Sequence, residues 1–250
     1  MQPPSPLPAC VWRAHELGGT AQAGHPSGFA SLDAQLPGGG WPSGMLTELI
    51  SREPGAGELR LLVPLLRQLS QAQRLIILLA PPHIPHAPAL QSHGIDINRL
   101  LIIQAPNAAD RLWAVEKALK SGSFGCLLAW LPQERARPEH LRRLQLAAQA
   151  AQGPVFLFRP LSAQFEASPA PLRLLLLPRP EQQLSVQVLK RRGPVLAQPM
   201  LLNLPQPMTT IRLRRHPASL PVPDALVTGL GTAHTGAGLA ARSRHAATLN

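Results

Sequence analysis

The sequence predicts an α/β protein in which a mostly parallel sheet is flanked by helices and continued by an antiparallel extension toward the C-terminal end. Three observations carry that expectation. Short, wholly apolar runs alternate with helical periodicity between residues 45 and 160, as strands buried on both faces and their crossover helices do. After residue 160 the apolar runs follow one another with no helical segment between them. Hydrophobic residues make up 45% of the 250, enough for one sizeable core, while aromatics reach 4% and tyrosine is absent. The core is therefore to be built from Leu, Ala, Val and Ile.

Taken in order, "MLTELI" (45–50) reads as the first strand and "ELRLLVPLLRQLSQAQ" (58–73) as a helix. Pro64 is expected to kink or break that helix, because proline lacks an N–H and crowds the carbonyl four residues back. "RLIILLA" (74–80) is a buried strand bounded by "PPHIPHAP", "APALQSHG" (87–94) a short helix, and "RLLIIQA" (99–105) the next strand. In "AADRLWAVEKALKSG" (108–122), Leu112, Val115, Ala118 and Leu119 recur at helical spacing and Gly122 supplies the stop. A strand at 125–131, a helix at 137–153 opened by proline and closed by glycine, and a strand at 154–160 complete the alternation. The strands at 171–178, 184–193 and 199–205 form the expected antiparallel extension.

These elements place the core domain at 27–205. Residues 1–26, rich in Pro, Gly and Ala, read as a flexible segment with one short docking helix around "CVWRAHEL", too short to be stable alone. Residues 206–250 lose periodicity and read as a disordered basic tail. No apolar run approaches the ~18 residues of a membrane span, and no secretory signal is legible at the start. Cys10 and Cys126 lie far apart, Cys126 inside an apolar run. A reduced, cytoplasmic protein without disulfides or a metal framework is expected.

The chemistry centres on "SREPGAGEL" (51–59), a glycine-containing turn between a strand and a helix. A phosphate-binding loop at such a place needs a lysine after its last glycine and then a hydroxyl for magnesium. Here Gly55 and Gly57 are followed by Glu58 and Leu59. A carboxylate about 4 Å from a phosphate charge costs ~4 kcal/mol at an effective dielectric near 20. Elsewhere, His83 and His86 have metal-ligand spacing but no third ligand nearby, and they read as a loop pair. Ser43, Ser51 and Asp33 lack the G-x-S-x-G elbow of a hydrolase, and Asp33 reads as the anchor of the turn before "GGG". Trp41, Trp113 and Trp130 read as packing residues. Trp12 and Leu17 stand out in a segment with no core of its own, as an anchor for another subunit or as a segment folded back on its own chain.

The net charge is +11, and from residue 182 onward eight Lys/Arg face a single acid, Asp224. Lys190, Arg191 and Arg192 form one cluster, and Arg212, Arg214 and Arg215 another. Such clusters suit phosphate backbones, an acidic protein face, or solvation alone.

A resemblance now becomes specific. "SGFASLDAQLPGGGWPSGMLTELI" resembles the entry to the RecA recombinase core, "HGIDINRLLIIQAPNAADRLWAVEKALKSGSFGCLLAWL" its stretch into the second nucleotide-binding motif, and "VQVLKRRGPVLAQPMLLNL" its closing hairpin. The resemblance implies a RecA-like P-loop NTPase core whose nucleotide site is degenerate at Gly55, Gly57, Glu58 and Leu59. Trp130 stands where the metal-holding aspartate is needed, and Pro81 and Pro82 where the water-activating glutamate belongs. It implies a non-enzyme without cofactors. An active ATPase would need a lysine from elsewhere, Lys117 or Lys120. Within that superfamily the chain most resembles the ImuA family, which implies an adaptor of the damage-induced (SOS) mutagenesis cassette, serving translesion DNA synthesis in DNA repair. The implied partners are an ImuB-like polymerase relative and an error-prone C-family DNA polymerase, with RecA, DNA and self-association as further contacts. The alternative is a SulA-like cell-division inhibitor that binds the division GTPase.

Overall fold

A computed structural model describes residues 23–131, 137–193 and 198–206, all within the first of the chain's two compact units, Met1–Thr210. Trp12, Leu17, Cys10, Arg212, Arg214 and Arg215 lie outside the described residues.

A one-turn helix α1 (Ala30–Asp33) precedes strand β1 (Leu46–Ser51), helix α2 (Glu58–Gln71), β2 (Ile76–Leu79), the short α3 (Ala87–Ser92) and β3 (Leu100–Ile103). Helix α4 (Ala108–Ser121), β4 (Cys126–Trp130), α5 (Pro138–Ala148) and β5 (Val155–Pro160) follow. A 3-10 turn (Leu161–Phe165) then leads to β6 (Leu172–Arg179), β7 (Gln183–Lys190) and β8 (Met200–Asn203). The eight strands form one mixed sheet in the order β3-β2-β4-β5-β1-β6-β7-β8. β6 pairs parallel with β1, and only β7 and β8 run antiparallel to their neighbours. The antiparallel extension expected from 171 thus begins one strand later.

The side-chain period of two sorts the strand residues onto opposite faces. Ile76, Leu78, Cys126, Leu128, Phe156 and Phe158 join the core beneath α2. Their neighbours Ile77, Leu79, Leu127, Ala129, Val155 and Leu157 join the core beneath α4 and α5. Each buried Val, Leu, Ile or Phe side chain contributes roughly 1.5–3 kcal/mol. Coverage is incomplete at the β3 edge, where Leu101 and Ile102 are 42% and 36% exposed. An all-apolar run signalled two covered faces, but an edge strand lacks a neighbour on one side.

Helix α2 runs unbroken through Pro64, against the expected break. Space for the ring comes from Gly28, held at φ +85°, where an added Cβ would lie 2.4 Å from the proline Cβ. Asp33 anchors its turn as expected, accepting a hydrogen bond from the Ser27 N–H at 2.8 Å. Among the described residues no helix is long and apolar enough to cross a membrane.

The RecA-like P-loop NTPase core does not describe this architecture. The sheet is a mixed eight-stranded one with few helices, two of them only four and six residues long. The turn between β1 and α2 is closed by its own side chain and is not shaped around a phosphate. Helix α2 begins at Glu58, whose carboxylate Oε1 accepts from the Gly55 N–H at 2.5 Å, so the turn's own donor is already used.

Candidate functional site

Sheets of this kind bind ligands outside the carboxyl ends of their parallel strands, where sequential connections diverge to either side. That end carries the segments after β1, β2 and β5 and the end of β4, and two adjoining cavities open there. The larger, about 200 Å³, is lined by Gly55, Gly57, Leu59, Pro81, Pro82, His83, Ile84 and Pro85 among others. The smaller, about 50 Å³, lies between the β1 turn and Leu131, Phe158, Arg159 and Pro160. Glu58 and Trp130 line both.

Local sequence explains the shape. Gly57 holds φ +108° before the helix, and a Cβ there would meet Leu204 Cδ1 at 2.7 Å. The proline-bracketed segment after β2 keeps an open main chain, leaving Ile84 80% exposed at the rim. Trp130 closes the floor by stacking on Phe158, with centroids 4.3 Å apart and planes at 15°. Arg60, at the larger cavity's edge, donates to Pro205 O, Gln182 Oε1 and Leu204 O.

Three buried polar atoms at these cavities have no protein partner: Glu58 Oε2, Trp130 Nε1 and Arg159 Nε. Buried polar groups are almost always hydrogen-bonded. Glu58 is 3% and Trp130 7% exposed.

Beside this cleft, under β1, lies an ionic cluster that inspection of the sequence missed. Glu48 is fully buried, and its Oε1 accepts from Arg159 Nη1 at 3.1 Å and Ser168 Oγ at 2.6 Å. Its Oε2 accepts from Arg173 Nε at 2.7 Å, while Arg159 Nη2 donates to Glu166 at 2.7 Å. The available signal was three charged residues of complementary sign, Glu48, Arg159 and Arg173, each inside an otherwise apolar strand.

Other expected residues are dispersed. Lys190 Nζ donates to Ser168 O, Arg191 Nη1 to the main chain and side chain of Gln35, and Arg192 is exposed. Trp41 is fully buried against Phe156, edge to face at 5.1 Å. Trp113 corrects the packing expectation, being 63% exposed. Val115 and Leu119, one turn apart, point into the core, and Trp113 sits off that stripe with Lys117 Nζ 5.6 Å from its ring. His83 and His86 are exposed, and among the described residues no three His, Cys, Asp or Glu side chains gather as a metal site. Cys126 is fully buried, and burial pushes its thiol well above the usual range.

Comparison with known proteins places these features in a family. The model of the family described as "Cell division inhibitor SulA" matches residues 44–156. The cell division inhibitor SulA of Yersinia pestis (strain Pestoides F) is 33% identical over 120 residues, 48% of this chain and 70% of its own length. That of Serratia proteamaculans is 30% identical over 136 residues, 54% of this chain and 80% of its own. The crystal structure of SulA from Pseudomonas aeruginosa is 32% identical, with a TM-score of 0.39 over 48% of this chain and 99% of its own.

These matches overturn the ImuA-like reading and, with it, the translesion-synthesis role, the mutagenesis-cassette setting and the polymerase, RecA and DNA partners. The relatives carry the name of division inhibitors. The RecA resemblance was drawn from three stretches, and of these the family match covers the middle one and the end of the entry, leaving out the closing hairpin. Residues 55–59 form a turn closed by Glu58 on the Gly55 N–H, and Trp130 stacks on Phe158.

Proposed function

This chain belongs to the SulA family, and from that premise we propose that it is a non-catalytic inhibitor of cell division, acting in the cytoplasm by binding the division GTPase and blocking its polymerisation. The observation that carries this reading is the family match over residues 44–156, which runs from the approach to β1 into β5 and includes the segments after β1 and β2 that line the larger cavity. A protein that acts by binding needs exposed anchors on a rigid scaffold, and Ile84 and Trp113 are such anchors within the matched segment.

Around this core, taken as residues 27–205, we assign subsidiary contacts to the flanks. Trp12 and Leu17 in the segment 1–26 would serve as an apolar anchor for another subunit, while the exposed Arg192 with Lys190 and Arg191, and Arg212, Arg214 and Arg215 in the tail 206–250, would meet an acidic face of the target. Their contribution would be to association rate and salt dependence more than to final affinity.

Overproduction in a rod-shaped bacterium tests the reading. Long filaments with an arrested division ring are expected, together with reduced light scattering when the purified chain meets the polymerising GTPase. Normal division and undisturbed polymerisation would overturn it.

A further inference from the structure

The cleft at the strand ends contains more than an inhibitor's scaffold requires. Its larger part is walled by Pro81, Pro82, Pro85 and Leu59, with Ile84 at the rim. At its floor stand an acceptor, Glu58 Oε2, and a donor, Trp130 Nε1, both more than nine-tenths buried and neither bonded within the protein. Burying such groups unpaired is costly unless a ligand completes them.

The chemistry of the occupant follows by elimination. A phosphate or other anion would meet the Glu58 carboxylate. A metal ion would find a single carboxylate and no group of three ligating side chains among the described residues. A neutral ligand that presents both an N–H and a C=O, on a body small and apolar enough for a cavity of about 200 Å³, would complete both groups. A peptide main chain carrying an apolar side chain has that combination.

We propose that this cleft binds an exposed loop of a partner protein, with an apolar side chain seated among the prolines, a main-chain N–H donating to Glu58 Oε2 and a main-chain carbonyl accepting from Trp130 Nε1. The inference rests on the inhibitor reading for the partner's identity, the division GTPase, but the site itself does not depend on it. Arg159 Nε, in the smaller cavity, is the second donor available to the loop.

Three substitutions separate the site from the fold. Ile84→Asp alters an 80%-exposed side chain and puts charge at the rim. Trp130→Phe keeps a ring against Phe158 while removing the indole N–H, and Glu58→Gln removes the charge at nearly constant shape. A displayed library of short peptides panned on the full chain is expected to enrich sequences with a central apolar residue, which quench Trp130 fluorescence. Their affinity should fall at least about tenfold on each variant. Failure to enrich any peptide, or affinity unchanged across the variants, overturns the site.

The purified division GTPase then separates the two readings. If the wild-type chain blocks polymerisation and Ile84→Asp does so equally well, the cleft is not where that target docks and the proposal fails while the function stands. If the wild-type chain does not inhibit at all, the function fails while the peptide measurement still decides the site.

Discussion

Two buried carboxylates, Glu48 and Glu58, stand at opposite ends of the same strand and turn, and they are treated in opposite ways. Glu48 is 0% exposed and has both oxygens occupied by Arg159, Arg173 and Ser168. Glu58 is 3% exposed, accepts one main-chain N–H and leaves its second oxygen without a partner. The first arrangement ties β1, β5 and β6 together and holds the turn after β5 through Glu166 and the Ala163 carbonyl. The second does little for the fold that a neutral side chain would not do. A buried charge with every bond made is a structural device, whereas one with a bond to spare faces outward from the fold's own needs.

The largest effect is expected at the satisfied end. Glu48→Ala leaves the Arg173 guanidinium buried without its counter-charge and Arg159 with Glu166 alone, which costs about 3–5 kcal/mol. Chemical denaturation should record that loss, and a change below about 1 kcal/mol would mean that the cluster is solvated and that the contrast with Glu58 is false. Next in size is a packing change that involves neither carboxylate. Gly28→Ala drives a Cβ to 2.4 Å from the Pro64 ring at a backbone φ of +85°, and a cost of about 1–3 kcal/mol is expected. Pro64→Ala should recover part of it in the double variant. Additivity of the two changes would show that the ring and the glycine are not in contact.

How far these features were legible depends on which physical signal each left in the chain. The strands Leu46–Ser51, Cys126–Trp130 and Val155–Pro160 fall within about a residue of their apolar runs, because burial on two faces leaves no polar position to blur the pattern. The edge position of β3 left no trace, since an apolar run does not reveal how many neighbours it has. Trp113 was misjudged because a helix stripe about 100° wide ends abruptly. The identity of the fold was misread for a different reason. A glycine turn between strand and helix was matched to a phosphate loop on spacing, although Glu58 bonding back to Gly55 accounts for it without any phosphate. The ionic cluster was written in three strands far apart in sequence, and only their pairing brought Glu48, Arg159 and Arg173 together.

Acid response offers a smaller test, carried by two partly buried histidines. Burial holds His25 below its ordinary value of 6.5, with a hydrogen bond to the Gln152 main chain opposing the effect and the Arg74 charge adding to it. Burial likewise lowers His93, helped by the charges of Arg67 and Arg60. The unfolded chain therefore takes up these protons first as pH falls. Stability is fully present above about pH 6.5 and is lost as pH drops through the lowered folded values. Denaturation midpoints should decrease between about pH 7.5 and about pH 5.5, and substituting Gln for both histidines should flatten the slope. A slope that survives the double substitution would show that these two histidines do not carry it.

The smallest change in stability is expected at Glu58, and its smallness is the sharpest test of the contrast. Glu58→Gln keeps one oxygen for the Gly55 N–H and replaces an unpaired buried oxygen by a neutral amide. The charge that is removed has no ion-pair partner among the described residues, so chiefly its desolvation penalty disappears. Stability is expected to stay within about 1 kcal/mol of the wild type or to rise, as it does where a strained binding position is relaxed. A loss comparable to that of Glu48→Ala would show that Glu58 is already compensated inside the fold. The cleft would then be a packing detail at the start of α2, with no reserve of unmade hydrogen bonds for a partner to complete.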